Sequence, residues 1–285
     1  MDKRTDSYQL GLYEKAMPFA LSWEERLQLT RESGFDYLEM SIDERDERIS
    51  RLTLSKAERK EILDAMWNTG VRINSICLSA HRKYPFGSRY SRNRQRSLEI
   101  MEQAIDLASD LGIRLIQLAG YDVYYEEGTL RTRTDFIMNL EEAVRMAARK
   151  GVSLGFETME TPFMDTVEKA MYYVEKIQSP YLGIYPDIGN LKNASLLYHT
   201  PVDQDLRTGK DHLLAAHLKE TVPGRYREIP FGSGHTEYTE NLKTLAELGV
   251  RMYVGEFWYT GSVSWKADLK SANIFMREKL DYVFG

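Results

Sequence analysis

Strand-like and helix-like segments alternate along almost all of this 285-residue chain, and that alternation restricts it to α/β architectures built on a parallel sheet. The runs Gln9 to Glu14, Tyr37 to Ile42, Arg72 to Ser79, Arg114 to Ala119, Ser153 to Phe156, Leu182 to Tyr185, Leu214 to Leu218 and Met252 to Val254 read as strands. Helix signals lie between them. Ser22-Trp23-Glu24-Glu25 and Ser55-Lys56-Ala57-Glu58 are capping boxes, and the helices they open should stop at Gly34 and Gly70. Leu98, Met101, Ile105, Ala108 and Leu111 recur every three or four residues, one stripe that must face a sheet, with Gly112 ending the helix. Thr134 is placed to cap a helix carrying Leu140, Val144 and Ala147, which Gly151 terminates. About eight such units, the last closing at Phe284, predict a (β/α)8 TIM barrel, a fold that commonly takes about 250 residues. Residues 1–285 are therefore expected to form a single domain.

Composition removes several classes of partner. With 38 basic against 43 acidic residues the net charge is −5, which argues against a nucleic-acid footprint. One cysteine, Cys77, excludes an intrachain disulfide framework, and it reads as a small buried hydrophobe. The start MDKRTDSYQ lacks the apolar stretch of a secretion signal, and no apolar run approaches the ~20 residues of a membrane span. A cytoplasmic, soluble protein without nucleic-acid or membrane partners is expected.

Four residues close strand-like runs in the second half of the chain: Glu157 in LGFETME, Asp187 in YPDIGN, His217 in AAHLKE and Glu256 in YVGEFW. They are spaced roughly 30 to 40 residues apart, the length of one strand-helix-strand unit. On parallel strands all four side chains would meet at the C-terminal edge of the sheet. Three carboxylates and an imidazole there suit one divalent cation, with Mn²⁺, Mg²⁺ and Zn²⁺ all compatible. Taken singly, each acid could be a helix cap or a solvated charge. Asp187 and His217, however, follow apolar sequence in which an unpaired charge is costly.

Two long irregular stretches, Ala80 to Ser91 and Thr221 to Thr236, follow strands and so belong over the C-terminal face. The second interleaves Gly224, Gly232 and Gly234 with Arg225 and Arg227, a composition able to hold an anion, although a plain turn accounts for it equally. His81 lies where a substrate could touch it. Glu160 and Lys219 sit just beyond the metal-ligand candidates, either as supporting partners or as surface ion pairs. Trp258 reads as barrel packing or as part of the pocket rim.

The set Asp187-Ile188-Gly189-Asn190, His217-Leu218-Lys219-Glu220-Thr221, Pro223-Gly224-Arg225 and Gly255-Glu256-Phe257 resembles the xylose-isomerase-like TIM-barrel superfamily. Together with Gly11-Leu12-Tyr13-Glu14-Lys15-Ala16 and Gly34-Phe35-Asp36-Tyr37-Leu38-Glu39, it is most similar to the bacterial L-ribulose-5-phosphate 3-epimerases of L-ascorbate and L-xylulose catabolism. The resemblance runs from about Gln9 to the C-terminus. It implies one divalent ion, Zn²⁺ or Mn²⁺ or else Mg²⁺, held by Glu157, Asp187, His217 and Glu256, with Glu157 and Glu256 as the acid/base pair. It also implies a sugar-phosphate substrate, met at Asn190 and at Arg225 or Arg227, and a homo-oligomer, a dimer or larger; His81, Glu160 and Lys219 join the substrate-binding candidates by their position in the chain. Related ketose epimerases often carry His where this chain has Asn190, whose amide can bond a hydroxyl but cannot transfer a proton at neutral pH. Arg225 and Arg227 compete for the arginine position that follows the metal histidine.

Chemistry fits that implication: removing the proton at C3 of a ketose gives an enediolate, and a divalent ion with two carboxylates suffices for it without a redox cofactor. Rival readings on the same barrel are an aldose-ketose isomerase, a free-ketose epimerase, an inosose dehydratase, an abasic-site endonuclease and a non-enzymatic sugar-binding barrel. Five histidines and an acidic balance weigh against the endonuclease.

Overall fold

The computed structural model describes residues 7–285; the first six residues of the polar start lie outside the described residues. Eight parallel strands form the sheet: β1 (Gln9–Tyr13), β2 (Tyr37–Ile42), β3 (Arg72–Leu78), β4 (Leu115–Ala119), β5 (Ser153–Glu157), β6 (Leu182–Tyr185), β7 (Ala216–Leu218) and β8 (Met252–Gly255). Their order runs β6-β5-β4-β3-β2-β1-β8-β7. The ring closes between β6 and β7 through isolated bridges, Ile184 to Leu213 and Asp187 to His217. The Leu214 N–H donates to Ile184 O at 2.9 Å and the His217 N–H to Pro186 O at 2.9 Å. The closed ring is the expected TIM barrel, with β7 shorter than the run from Leu214 because Leu214 pairs only with β6.

Two packing layers follow from the strand period of two. In β2, Leu38, Met40 and Ile42 point outward into the large core shared with the helices, while Tyr37 joins Tyr13, Cys77, Leu115, Tyr185, Ala215 and Val254 in a separate cluster inside the ring. The interior thus carries many polar atoms above an apolar floor. Gly11 is required there, since a Cβ at that position would lie 2.4 Å from the Tyr37 ring.

Both capping boxes form, at Ser22 with Glu25 and at Ser55 with Glu58. Gly70, Gly112 and Gly151 end their helices in the left-handed conformation that glycine adopts without strain. The helix expected to start at Thr134 begins a turn earlier, over Leu130–Lys150. Thr129 caps it, taking the Thr132 N–H at 3.2 Å while Thr132 Oγ1 accepts from the Thr129 N–H at 2.8 Å. The Thr134 hydroxyl donates back to Leu130 O instead.

A buried ion cluster fastens the first two βα loops over the C-terminal face. Glu14, 1% exposed, is bound bidentately by Arg51 at 2.7 and 2.8 Å, by Arg48 at 2.6 Å and by Arg26 Nε at 3.2 Å. Burial alone would raise the Glu14 pKa; Arg51, Arg48 and Arg26 outweigh it and hold the carboxyl below its usual range. Phe19 lies over the Arg48 and Arg51 guanidinium groups at 4.8 and 5.4 Å. Glu14→Gln strands buried guanidinium charge and is expected to cost about 3–5 kcal/mol of unfolding free energy. Because the folded-state pKa is depressed, this stabilisation is present above about pH 4 and lost as pH falls through the folded value. Denaturant melts of wild type and variant should therefore converge in acid.

Candidate active site

Glu157 ends β5, Asp187 follows β6, His217 lies in β7 and Glu256 follows β8, so the four strand outlets bring their side chains to one place. One ligand atom from each lies within 4.8 Å of every other. All four are buried, with Asp187 and His217 at 0% exposure. His217 Nδ1 is 3.3 Å from Glu157 Oε1 and 3.6 Å from Glu256 Oε2. Asp187 also serves as the helix cap that a lone acid suggested: Oδ1 accepts the Asn190 N–H at 2.8 Å and opens the helix Ile188–Tyr198. Its second oxygen faces the cluster, where it meets the Lys219 ammonium at 2.7 Å. Gly189 permits this approach, because a Cβ there would stand 2.7 Å from Lys219 O.

The donor set fits a divalent cation, since hard carboxylate oxygens and one imidazole nitrogen converge where their charge has little access to water. Among the described residues no other group of this kind is found. Lys219 provides the local positive charge, its Nζ 2.7 Å from Asp187 Oδ2 and 3.0 Å from Glu256 Oε2. Burial raises the Glu157 pKa and the neighbouring Glu256 adds to it, against His217 and Lys219. For Glu256 burial also acts upward, but Lys219 and His217 prevail and bring it to about 2.

Sequence reasoning missed the partner behind the histidine. Glu39, 0% exposed in β2, accepts from His217 Nε2 at 2.6 Å, from Ser75 Oγ at 2.7 Å and from the Tyr185 hydroxyl at 3.0 Å. A carboxylate there accepts the Nε2–H, which keeps that proton on Nε2 and leaves the Nδ1 lone pair facing the other candidate ligands. Gln117, inward-facing in β4, donates through Nε2 to Glu157 Oε2. The available signal was periodicity: Tyr37, Glu39 and Ser41 alternate with Leu38, Met40 and Ile42, so one face of an apolar-looking run is polar.

A cavity opens above the cluster, lined by Glu157, Glu256, Lys219, Asn190, Glu160 and Arg227, and by Tyr13, Lys15, Arg82, Tyr226 and Trp258. Asn190 donates through Nδ2 to Thr158 O at 2.7 Å, leaving its buried Oδ1 without a partner. Glu160 accepts from the Tyr121 hydroxyl at 2.6 Å and lies 3.7 Å from Arg227. Trp258 stands edge-on to Tyr13 at 6.0 Å on the cavity wall.

Three expected contacts are not brought into this cavity. His81 is buried at 4% exposure, stacked 4.4 Å from Phe86 with Nε2 on Ser97 O, and burial depresses its pKa to about 4. Arg225 points to solvent from a tight turn in which Val222 and Arg225 exchange backbone hydrogen bonds. The glycine-rich segment holds an anion of its own: Glu220 accepts the N–H groups of Thr221, Gly232 and Thr236. The Gly232 amide is therefore spent within the loop.

Glu39→Gln weakens the orientation of His217 and is expected to lower divalent-ion affinity about 10- to 100-fold with the fold retained. Metal titration monitored by calorimetry checks this, and unchanged affinity would show that Nδ1 needs no support from Glu39.

Residues 27–279 match the model of the xylose isomerase-like TIM barrel family. L-ribulose-5-phosphate 3-epimerase UlaE of Escherichia coli (strain K12 / DH10B) is 42% identical over 272 residues, covering 95% of this chain and 94% of the relative. Among solved structures, a D-tagatose 3-epimerase-like protein superposes with a TM-score of 0.79 at 18% identity, over 96% of this chain and 98% of that one. An L-ribulose 3-epimerase does so with a TM-score of 0.75 at 19% identity, over 97% and 95%. At that identity these two speak to the fold alone. The family match across most of the barrel, joined to the closely similar relative, places this chain in the xylose isomerase-like TIM barrel family, with the L-ribulose-5-phosphate 3-epimerases.

Proposed function

We propose that this chain is a divalent-metal-dependent 3-epimerase of a ketopentose 5-phosphate, interconverting L-ribulose 5-phosphate and L-xylulose 5-phosphate in the cytoplasm. The observation that carries the reading is the convergence of Glu157 and Glu256 on His217 at the cavity floor, in a chain 42% identical to an L-ribulose-5-phosphate 3-epimerase. Glu157, Asp187, His217 and Glu256 would hold the ion. When bound, it would supply Lewis acidity toward the C2 and C3 oxygens of the sugar.

The protein's part is proton transfer on two faces. One glutamate takes the C3 proton, leaving an enediolate, and the other returns a proton to the opposite face. Without an ion, burial and Glu256 raise the Glu157 pKa while Lys219 and His217 keep Glu256 ionised; a bound dication would favour the ionised form of both, so that either could act as the base. Asn190, with its free Oδ1 on the cavity wall, would accept from a sugar hydroxyl. Trp258 and Tyr13 would confine the chain of the sugar.

A ketose seated at C2 and C3 carries its phosphate toward the cavity mouth. The cations there are Lys15, Arg82 and Arg227. Arg82 is the strongest candidate, because its buried Nε has no hydrogen-bond partner and its guanidinium is braced over Tyr124 at 4.8 Å. Lys15 is already 2.6 Å from Asp43, so it contributes charge from a fixed position.

Two experiments test the reading. NMR of L-ribulose 5-phosphate incubated with protein and Mn²⁺ should reveal the C3 epimer, with deuterium entering C3 in D₂O. In Glu157→Gln or Glu256→Gln, net epimerisation should fall by about a hundredfold to ten-thousandfold, with C3 exchange retained from one epimer only. A variant that epimerises at the wild-type rate would exclude the two-glutamate mechanism. For the phosphate, Arg82→Ala should lower kcat/KM on the phosphorylated ketose by about 10- to 100-fold, while its efficiency on free L-ribulose and the activity of Arg225→Ala stay near wild type. Equal wild-type efficiency on both sugars would instead assign a free-ketose epimerase.

A further inference from the structure

Lys219 occupies an unusual position for a lysine. It follows β7 two residues after His217, so the strand period returns its side chain to the face that carries the histidine. The residue is 4% exposed, and its Nζ lies 2.7 Å from Asp187 Oδ2 and 3.0 Å from Glu256 Oε2. Those are the oxygens a cation would use. Asp187 Oδ1 is committed to the Asn190 amide, which leaves Oδ2 as its free donor, and Glu256 Oε2 is the atom that approaches His217 Nδ1 at 3.6 Å. The ammonium thus touches two of the four ligands through the atoms that face the cluster.

Charge explains what such a contact does. Glu39, Glu157, Asp187 and Glu256 stand together out of water, and Lys219 is the fixed cation that touches the ligand set. Unpaired, those carboxylates would repel one another and carry a large desolvation cost. We propose that Lys219 is an internal counter-cation: it lets the ligand set assemble before the divalent ion arrives and then weakens the hold on that ion. Once the ion binds, ammonium and dication share Asp187 and Glu256 and repel each other across a short, poorly screened distance. Two ligands donate less, and more of the ion's positive charge is left for the substrate oxygens. This inference rests on the metal-site reading above.

The test compares wild type, Lys219→Met and Lys219→Arg in Mn²⁺ titrations, in melts of the metal-free proteins, and in the rate at which a chelator withdraws Mn²⁺ from loaded protein. Lys219→Met should bind Mn²⁺ at least about tenfold more tightly and release it correspondingly more slowly, while its metal-free form melts at a lower temperature than wild type. Lys219→Arg should stay near wild type in all three. If the metal-free methionine variant does not fold, protein produced with Mn²⁺ still gives the withdrawal rate. Equal or faster withdrawal from Lys219→Met, or a matching gain in Lys219→Arg, would overturn the proposal while leaving the metal site in place. A wild type that binds no divalent ion would overturn both.

Discussion

The organising constraint in this protein is negative charge gathered where water cannot reach it. Four carboxylates, from Glu39, Glu157, Asp187 and Glu256, stand around one imidazole and one ammonium inside the upper half of a barrel. Isolated, such groups would cost several kcal/mol each or take up protons. Each is therefore committed: Glu39 to His217, Ser75 and Tyr185, Asp187 to a helix start and Lys219, Glu157 to Gln117 and His217, Glu256 to Lys219. The inward strand positions are polar because these commitments need partners, and the apolar burden of folding passes to the outer layer between strands and helices.

A barrel suits this arrangement because its strand ends are rigid and mutually close. Every candidate ligand stands within two residues of the end of a strand whose neighbours are fixed by the ladder. The loops beyond are fastened separately, and the Glu14 cluster ties the first two βα connections together without touching the ligand set. Stability and chemistry share the C-terminal face but draw on different charges.

Much of this was legible in the sequence, and what escaped did so for identifiable reasons. Helix starts and stops were visible because Ser22, Ser55, Gly70, Gly112 and Gly151 act locally, through groups within a few residues of themselves. Thr134 misled because Thr129 offers the same chemistry one turn earlier and is followed by Thr132, which closes the reciprocal pair. The four converging residues Glu157, Asp187, His217 and Glu256 were visible as polar breaks at the ends of apolar runs. Glu39 and Gln117 sit inside such runs, and their roles depend on β2, β4, β5 and β7 meeting in space. Arg82 and His81 are adjacent in sequence yet diverge, one to the cavity and one to the Phe86 ring, a distinction made by the short 3-10 turn Ala80–Arg82.

The Glu220 carboxylate, which gathers the amides of Thr221, Gly232 and Thr236, fastens the two ends of one loop to a single point. Whatever residues lie between those ends, the strand below experiences the same tether. Tyr226 and Arg227, the loop's contribution to the cavity wall, ride on the segment between those ends, with Phe231 seated against Phe257 and Phe275. Such a tether works as a cassette mount: duplicated copies of the gene could exchange residues 225–230 and reshape the cavity wall while Glu220 and Phe231 hold the loop over an undisturbed strand end.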